Sequence, residues 1–333
     1  MTRLPKTLLT IALTLVAVHA AGCSSPDDSS SQSDDALSMG HAPLGPEPSG
    51  HATRYPIVLA SGFATSPTLN NFRDVPAAFA ADGHQVAVAD LPPFDSTAVR
   101  GAALAKEIEA ALAKFGASKV NIIAHSSGGT DAREVVSKLG FGDRVASITT
   151  ISTAHGGTPL ADHLLDAVAG ASDDSLDAVA SLLGKTFSDV AADSHLRAGF
   201  ASMAVRNAAA FNASHPDDPR VFYQSWAGVA GIAGTSRDAD DDACEHKRFG
   251  NEREAGIVHT LLVPAALVLG DQPQDSLVPV ASAKHGLFRG CIPADHLDEV
   301  AGGPLATKVN VLTGFDRVRF YRLMAYELAA KGF

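Results

Sequence analysis

The chain has 333 residues, 46% of them hydrophobic and 19% charged, which is enough apolar material for a full core and too much for a disordered chain. A formal net charge of -11 excludes the basic footprint with which a nucleic-acid binder neutralises phosphates.

Arg3 and Lys6 precede an apolar run from Leu8 to Val18 that is too short to span a bilayer, and Ala20, Ala21 and Gly22 lead into Cys23. This pattern predicts a signal peptide over residues 1–22. Ala20-Ala21-Gly22-Cys23 resembles the lipobox of bacterial lipoproteins, whose cysteine is acylated, although that motif more often opens with Leu. Ordinary cleavage near Ala20 is the alternative. Either reading exports the chain, so the expected location is secreted or in the cell envelope, with a lipid anchor at Cys23 in the first case. Residues 23–50, rich in Ser, Asp, Pro and Gly, cannot offset their ordering entropy and read as a flexible tether. Residues 51–333 then read as one domain.

Within it, apolar runs alternate with helical patterns. Tyr55 to Ala60 and Gln85 to Leu91 read as strands, with Phe72 to Ala81 as a helix between them. Leu104, Ile108, Leu112 and Phe115 line one helical face, and Gly116 stands where a C-cap is expected. Val120 to Ala124 reads as a buried strand, Thr130 to Leu139 as a helix and Val145 to Ile151 as a strand. Residues 159–219 give helical periodicity alone, through Leu164, Leu165, Val168, Leu176, Leu182 and Leu183, and are read as a helical cap. Strands are expected again at Val221 to Trp226 and Val263 to Leu269, and a closing helix at Val318 to Ala330. The order predicts an α/β class: a mostly parallel sheet flanked by helices, with a cap insertion.

Two of the three cysteines, Cys244 and Cys291, remain once Cys23 is acylated or removed, and in an oxidising compartment they are expected to form a disulfide; two unpaired thiols are the alternative. The acidic run Asp238 to Asp242 lacks the interleaved Gly of a calcium loop and reads as a solvated loop.

The chemistry concentrates where Ala124-His125-Ser126-Ser127-Gly128 follows the buried strand and opens a helix. This is the context of a nucleophile elbow: a strained turn pushes the Ser126 hydroxyl outward, and the residues two before and two after must be small. The helix N-terminus behind it aims free N–H groups at the place where negative charge develops. The fold so implied is the α/β-hydrolase fold, in which the acid and then the base follow the serine in the chain. Asp275, in Asp275-Ser-Leu-Val-Pro279, is the chosen acid, with Asp271 as runner-up. The base is His296, with His285 as the rival; only ten residues separate His285 from Asp275, which leaves little room for a strand. Neutral His296 would take the Ser126 proton while a carboxylate fixes its tautomer. The oxyanion donors are assigned to the amides of Ser127 and of Phe63, in Ala60-Ser61-Gly62-Phe63.

These segments together resemble the bacterial true lipases of the Pseudomonas and Burkholderia triacylglycerol lipase type. The likeness runs through Tyr55-Pro-Ile-Val-Leu, Lys119-Val-Asn-Ile-Ile-Ala-His-Ser, Val145 to Gly157, Trp226-Ala-Gly, Asp275-Ser-Leu-Val-Pro, His296-Leu-Asp-Glu-Val and the closing helix. The resemblance implies cleavage of hydrophobic acyl esters, as a triacylglycerol lipase or esterase, at a lipid–water interface under a mobile lid. It implies no cofactor for catalysis but a structural calcium, for which Asp298 matches one ligand. Gly302 stands where the family offers an amide, and no second aspartate near Glu254 is placed. A monomer is expected. The alternatives are a polyester depolymerase of the polyhydroxyalkanoate type and a lipoprotein that keeps the fold but only binds.

Overall fold

A computed structural model of the chain describes residues 46–63, 72–170, 195–231, 237–249, 255–259, 262–300, 310 and 313–333. The expected signal peptide, Cys23, most of the tether, the middle of the cap, Glu254 and Gly302 lie outside the described residues. In chain order the elements are β1 (Ile57–Ala60), α1 (Val75–Ala81), β2 (Val86–Val88), α2 (Thr97–Phe115), β3 (Val120–His125), α3 (Gly128–Ser137) and β4 (Val145–Ile151). The cap region follows as α4 (Pro159–Ala167), α5 (Leu196–Met203) and α6 (Val205–Ser214). Then come β5 (Phe222–Gly228), β6 (Ala230–Gly231), α7 (Asp238–Ala243), β7 (Gly256–Ile257), α8 (Val263–Leu269), α9 (Val280–Ala283), β8 (Leu287–Ile292) and α10 (Arg317–Ala330).

The main sheet has six strands in the order β2-β1-β3-β4-β5-β8, every pair parallel. Parallel strands joined by helices bury both faces, and the alternation within β1 shows it. Val58 packs with Leu104 and Ile108 of α2 and Val135 of α3. Ile57 and Leu59 face the other way, toward Phe79 of α1 and Phe320, Tyr321 and Met324 of α10. Gly116 adopts the left-handed conformation at the end of α2 (φ 62°), and its amide closes on the Leu112 carbonyl.

Three sequence expectations need correction, and one strand has no counterpart in the sequence reading. Val263 to Leu269 is a helix, not a strand. Pro264 stands in its first turn, where the missing N–H costs nothing, and Leu267 and Val268 are exposed, so the apolar run is not a buried sheet segment. Periodicity cannot separate strand from helix over so short a run. The strand without a counterpart is β8, which follows His285; as expected, none lies between Asp275 and His285, and Arg289 and Gly290 (φ 124°) interrupt the apolar pattern of β8. The acidic run is the helix α7, with Asp240 buried and bonded by the Arg237 amide at 2.8 Å and guanidinium at 3.1 Å. Finally, the described end of the tether, residues 46–50, is docked on α10: Arg322 donates to Glu47 Oε2 at 2.7 Å and Arg319 to the Pro46 carbonyl at 2.7 Å. Cys244, just after α7, is bridged to Cys291 in β8.

Candidate active site

Ser126 sits between β3 and α3 with φ 56°, a left-handed conformation that non-glycine residues adopt only under steric cost. The turn closes because its neighbours are small. A Cβ on Gly128 would lie 2.5 Å from the Ala60 carbonyl oxygen, and one on Gly62 would lie 2.4 Å from Ser126 Cβ. Ala124 is fully buried opposite Ala60. Thr153 Oγ1 donates to the Ser126 carbonyl at 2.7 Å, tying the turn to the end of β4.

His296 Nε2 lies 2.9 Å from Ser126 Oγ, and its Nδ1 lies 2.7 Å from Asp275 Oδ2. A carboxylate can only accept, so Nδ1 carries the proton and Nε2 is left as the acceptor for the serine hydroxyl. The His296 amide also donates to the Asp275 carbonyl at 2.9 Å, and Asp275 Oδ1 accepts the amides of Leu277 at 2.9 Å and Val278 at 2.7 Å. Asp275 is fully buried and Ser126 and His296 nearly so. The two rivals stand elsewhere. Asp271 is wholly exposed, 3.9 Å from Arg237, and His285 bonds Asp217 at 2.9 Å.

Ser127 is the N-cap of α3, and its hydroxyl is buried with no hydrogen-bond partner among the described residues. Phe63 follows Gly62 directly, and its ring packs on Phe94 (centroids 5.4 Å apart) and on Phe200 of α5 (5.6 Å). A Cβ on Gly199 would meet the Phe63 ring at 2.2 Å, so the cap helix presses on this loop. The loop is held from below by Arg100 of α2, which sequence reading missed. Its buried guanidinium donates to the carbonyls of Ser61 at 2.7 Å, Gly62 at 3.2 Å and Pro92, and to Asp131 Oδ2 at 2.8 Å. Burial pushes the Asp131 carboxyl up to about 7, against the pull of Arg100. No sequence signal marked the pair, because a basic residue in a helix is ordinarily solvated.

Glu299, which the sequence marks only as part of the motif after His296, is a fully buried carboxyl near Asp275. It accepts Ser152 Oγ at 2.6 Å and lies 2.9 Å from His125 Nε2. Burial, and next the Asp275 charge, push it well above the carboxylate range, while burial and the adjacent His296 hold His125 well below the imidazole range.

Asp298, the expected calcium ligand, lies half-enclosed beside Asp295. It accepts Asn310 Nδ2 at 2.8 Å, and burial raises its carboxyl. Asp295 is pushed up to about 7 by burial and by Asp298, and its oxygens accept the amides of His259, Leu297 and Asp298. Calcium takes six to eight oxygens. Among the described residues the one trio of metal-competent side chains is His125, His296 and Glu299, which excludes Asp298. The segments around Glu254 and Gly302, where further ligands are expected, lie outside the described residues.

The profile of the α/β-hydrolase fold family matches residues 55–284. The chain belongs to that family. Among curated proteins, this α/β hydrolase is 29% identical to a triacylglycerol lipase of Vibrio cholerae over 296 residues, 84% of this chain and 89% of that one. It is 38% identical to a Burkholderia plantarii triacylglycerol lipase over 122 residues, 34% of each. A metagenomic carboxyl esterase superposes with a TM-score of 0.63 at 20% identity, covering 97% of this chain and 91% of that one, and Staphylococcus hyicus lipase with 0.58 at 16%, covering 85% and 97%. The resemblance to bacterial lipases read from the motifs is thereby supported, and with it a carboxylic ester hydrolase.

Proposed function

We propose that the chain hydrolyses esters of hydrophobic acyl groups, triacylglycerols foremost, through an acyl-enzyme on Ser126. One observation carries this reading: His296 bridges Ser126 and Asp275 at hydrogen-bond distance on a strained turn. His296 Nε2 takes the hydroxyl proton as Ser126 Oγ bonds to the ester carbonyl carbon, and the carbonyl π pair moves onto oxygen. The amides of Ser127 and Phe63 hold that oxyanion. Its collapse breaks the bond to the alkoxide, which leaves with the His296 proton. Water, deprotonated by the same nitrogen, then frees the acid and restores Ser126. The aromatic wall of Phe63, Phe94 and Phe200 beside Leu196 suits an apolar acyl chain. Calcium, if held at Asp298, has a structural part only. The Cys244–Cys291 bridge favours export, with Cys23 as the lipid attachment point.

A fluorophosphonate is expected to label the protein once, at Ser126. Ser126→Ala abolishes labelling and lowers kcat by about 10⁶-fold while the circular dichroism spectrum is unchanged. Labelling that survives this change would move the nucleophile elsewhere. Nitrophenyl esters of graded length should show rates rising with chain length; a maximum at acetate with inactivity on emulsions would displace triacylglycerol as the substrate.

A further inference from the structure

A cavity of about 430 Å³ lies apart from Ser126, Asp275 and His296, none of which lines it. It is bounded by α3, the loop after β4, the end of α6 and the turn from α9 to β8. Arg133, His155, His215, Lys284 and His285 contribute basic or imidazole groups, and Asp217 contributes a carboxylate.

Within the cavity one carboxylate, Asp217, serves both Arg133 and His285. The Arg133 side chain is 4% exposed, and its terminal nitrogens donate to Asn212 Oδ1 at 2.6 Å and the His215 carbonyl at 2.8 Å. Its Nε has no hydrogen-bond partner, and Asp217 Oδ1 stands 3.9 Å away. That same oxygen lies 2.9 Å from His285 Nε2, so it serves both groups. His285 in turn stacks on buried His155, with centroids 4.4 Å apart. Burial, then His285 and Arg133, hold His155 well below the imidazole range, as expected in a positive field. Glu134 and Glu245 answer His215 and Lys284, at 2.5 and 2.9 Å. The Arg133 Nε is a buried donor on the cavity wall that a ligand oxygen could satisfy.

We propose that this cavity binds a small, multiply charged oxyanion of the phosphate class, displacing the Asp217 carboxylate from Arg133 and His285 and drawing the Lys284 ammonium away from Glu245. A simple carboxylate would only exchange for Asp217. A tetrahedral anion offers oxygens to all three groups at once, and charge-assisted hydrogen bonds of that kind are the strong ones. The source is either free phosphate or the head group of a phospholipid.

The test is calorimetric titration of the intact protein with inorganic phosphate at constant ionic strength and neutral pH, beside sedimentation with phosphatidylglycerol or phosphatidylcholine vesicles. Saturable binding of phosphate identifies the free anion, and capture by phosphatidylglycerol vesicles alone identifies the head group. Asp217→Asn removes the built-in competitor and is expected to tighten binding about fivefold, and Lys284→Ala to weaken it about fivefold. Both should leave ester hydrolysis unchanged. Heats indistinguishable from those of chloride together with no vesicle capture overturn the proposal, as does binding indifferent to both substitutions. Neither result bears on the Ser126 reading, which the phosphonate tests separately.

Discussion

The turn around Ser126 runs directly from β3 into α3, whereas Asp275 and His296 stand on loops reached only after irregular excursions beyond β5 and β8. The first is shaped by neighbours in the chain, small residues at Ala124 and Gly128 between a strand that stops and a helix that starts, with Ala60 and Gly62 packed closely against it. The second is fixed by ties between distant segments. The His296 amide reaches the Asp275 carbonyl, Thr158 at the root of the cap donates to the Leu277 carbonyl at 2.6 Å, and the disulfide clamps β8 to the segment after α7. A nucleophile can thus be built by local sterics, while the groups that activate it depend on tertiary contacts.

The comparison breaks hardest at Asp275. Asp275→Asn keeps the shape but permits the wrong His296 tautomer, so kcat should fall about 10⁴-fold with the fold intact by circular dichroism. A fall under about tenfold would leave another carboxyl, Glu299 being nearest, as the acid. Next in size is the clamp. The cysteines are separated by 47 residues, and removing the bridge with Cys244→Ser and Cys291→Ser should cost about 4 kcal/mol in the chain-entropy model, read from urea unfolding. A loss under about 1 kcal/mol would show that β8 and the His296 loop are held without it.

A smaller effect should come from the Ser126 side. Arg100→Lys keeps a charge beside Asp131 but loses the planar fork that holds the Ser61 and Gly62 carbonyls. The expected result is a fall in kcat of about 10–100-fold with KM nearly constant, since the loop carries a donor to the transition state. A change confined to KM would place the loop in substrate binding instead. The smallest effect is expected from chelation. With no metal in the proposed ester-cleaving step, EDTA should change the initial hydrolysis rate by less than about twofold, and a marked drop in melting temperature on chelation would reveal a structural calcium.

Much of this architecture could be read before folding. The strands β1, β3, β4 and β5 and the helices α3 and α10 fall within a few residues of the sequence expectation, and α2 carries the expected face and C-cap, because a buried parallel strand and an amphipathic helix write distinct periods. Ser126, Asp275 and His296, singled out by motif and order, are brought together, whereas Asp271 and His285 are not. What escaped were elements whose local pattern is ambiguous or interrupted, namely α8, with Pro264 opening an apolar run, and β8, broken by Arg289 and Gly290. The polar supports escaped too. Arg100 and Glu299 look like ordinary surface charges in a sequence, and only packing shows them buried.

The sequence by itself determined the alternation that makes the sheet, the small-residue turn that strains Ser126, and the chain order of acid and base, since each rests on sterics or hydrophobicity expressed over short spans. Tertiary structure alone decided that Arg100 underpins the Phe63 loop, that Glu299 is enclosed beside Asp275, and that Arg133, His155 and His285 surround one cavity. The reason is that desolvation and pairing of a charge depend on what other segments place around it, and no local pattern carries that information.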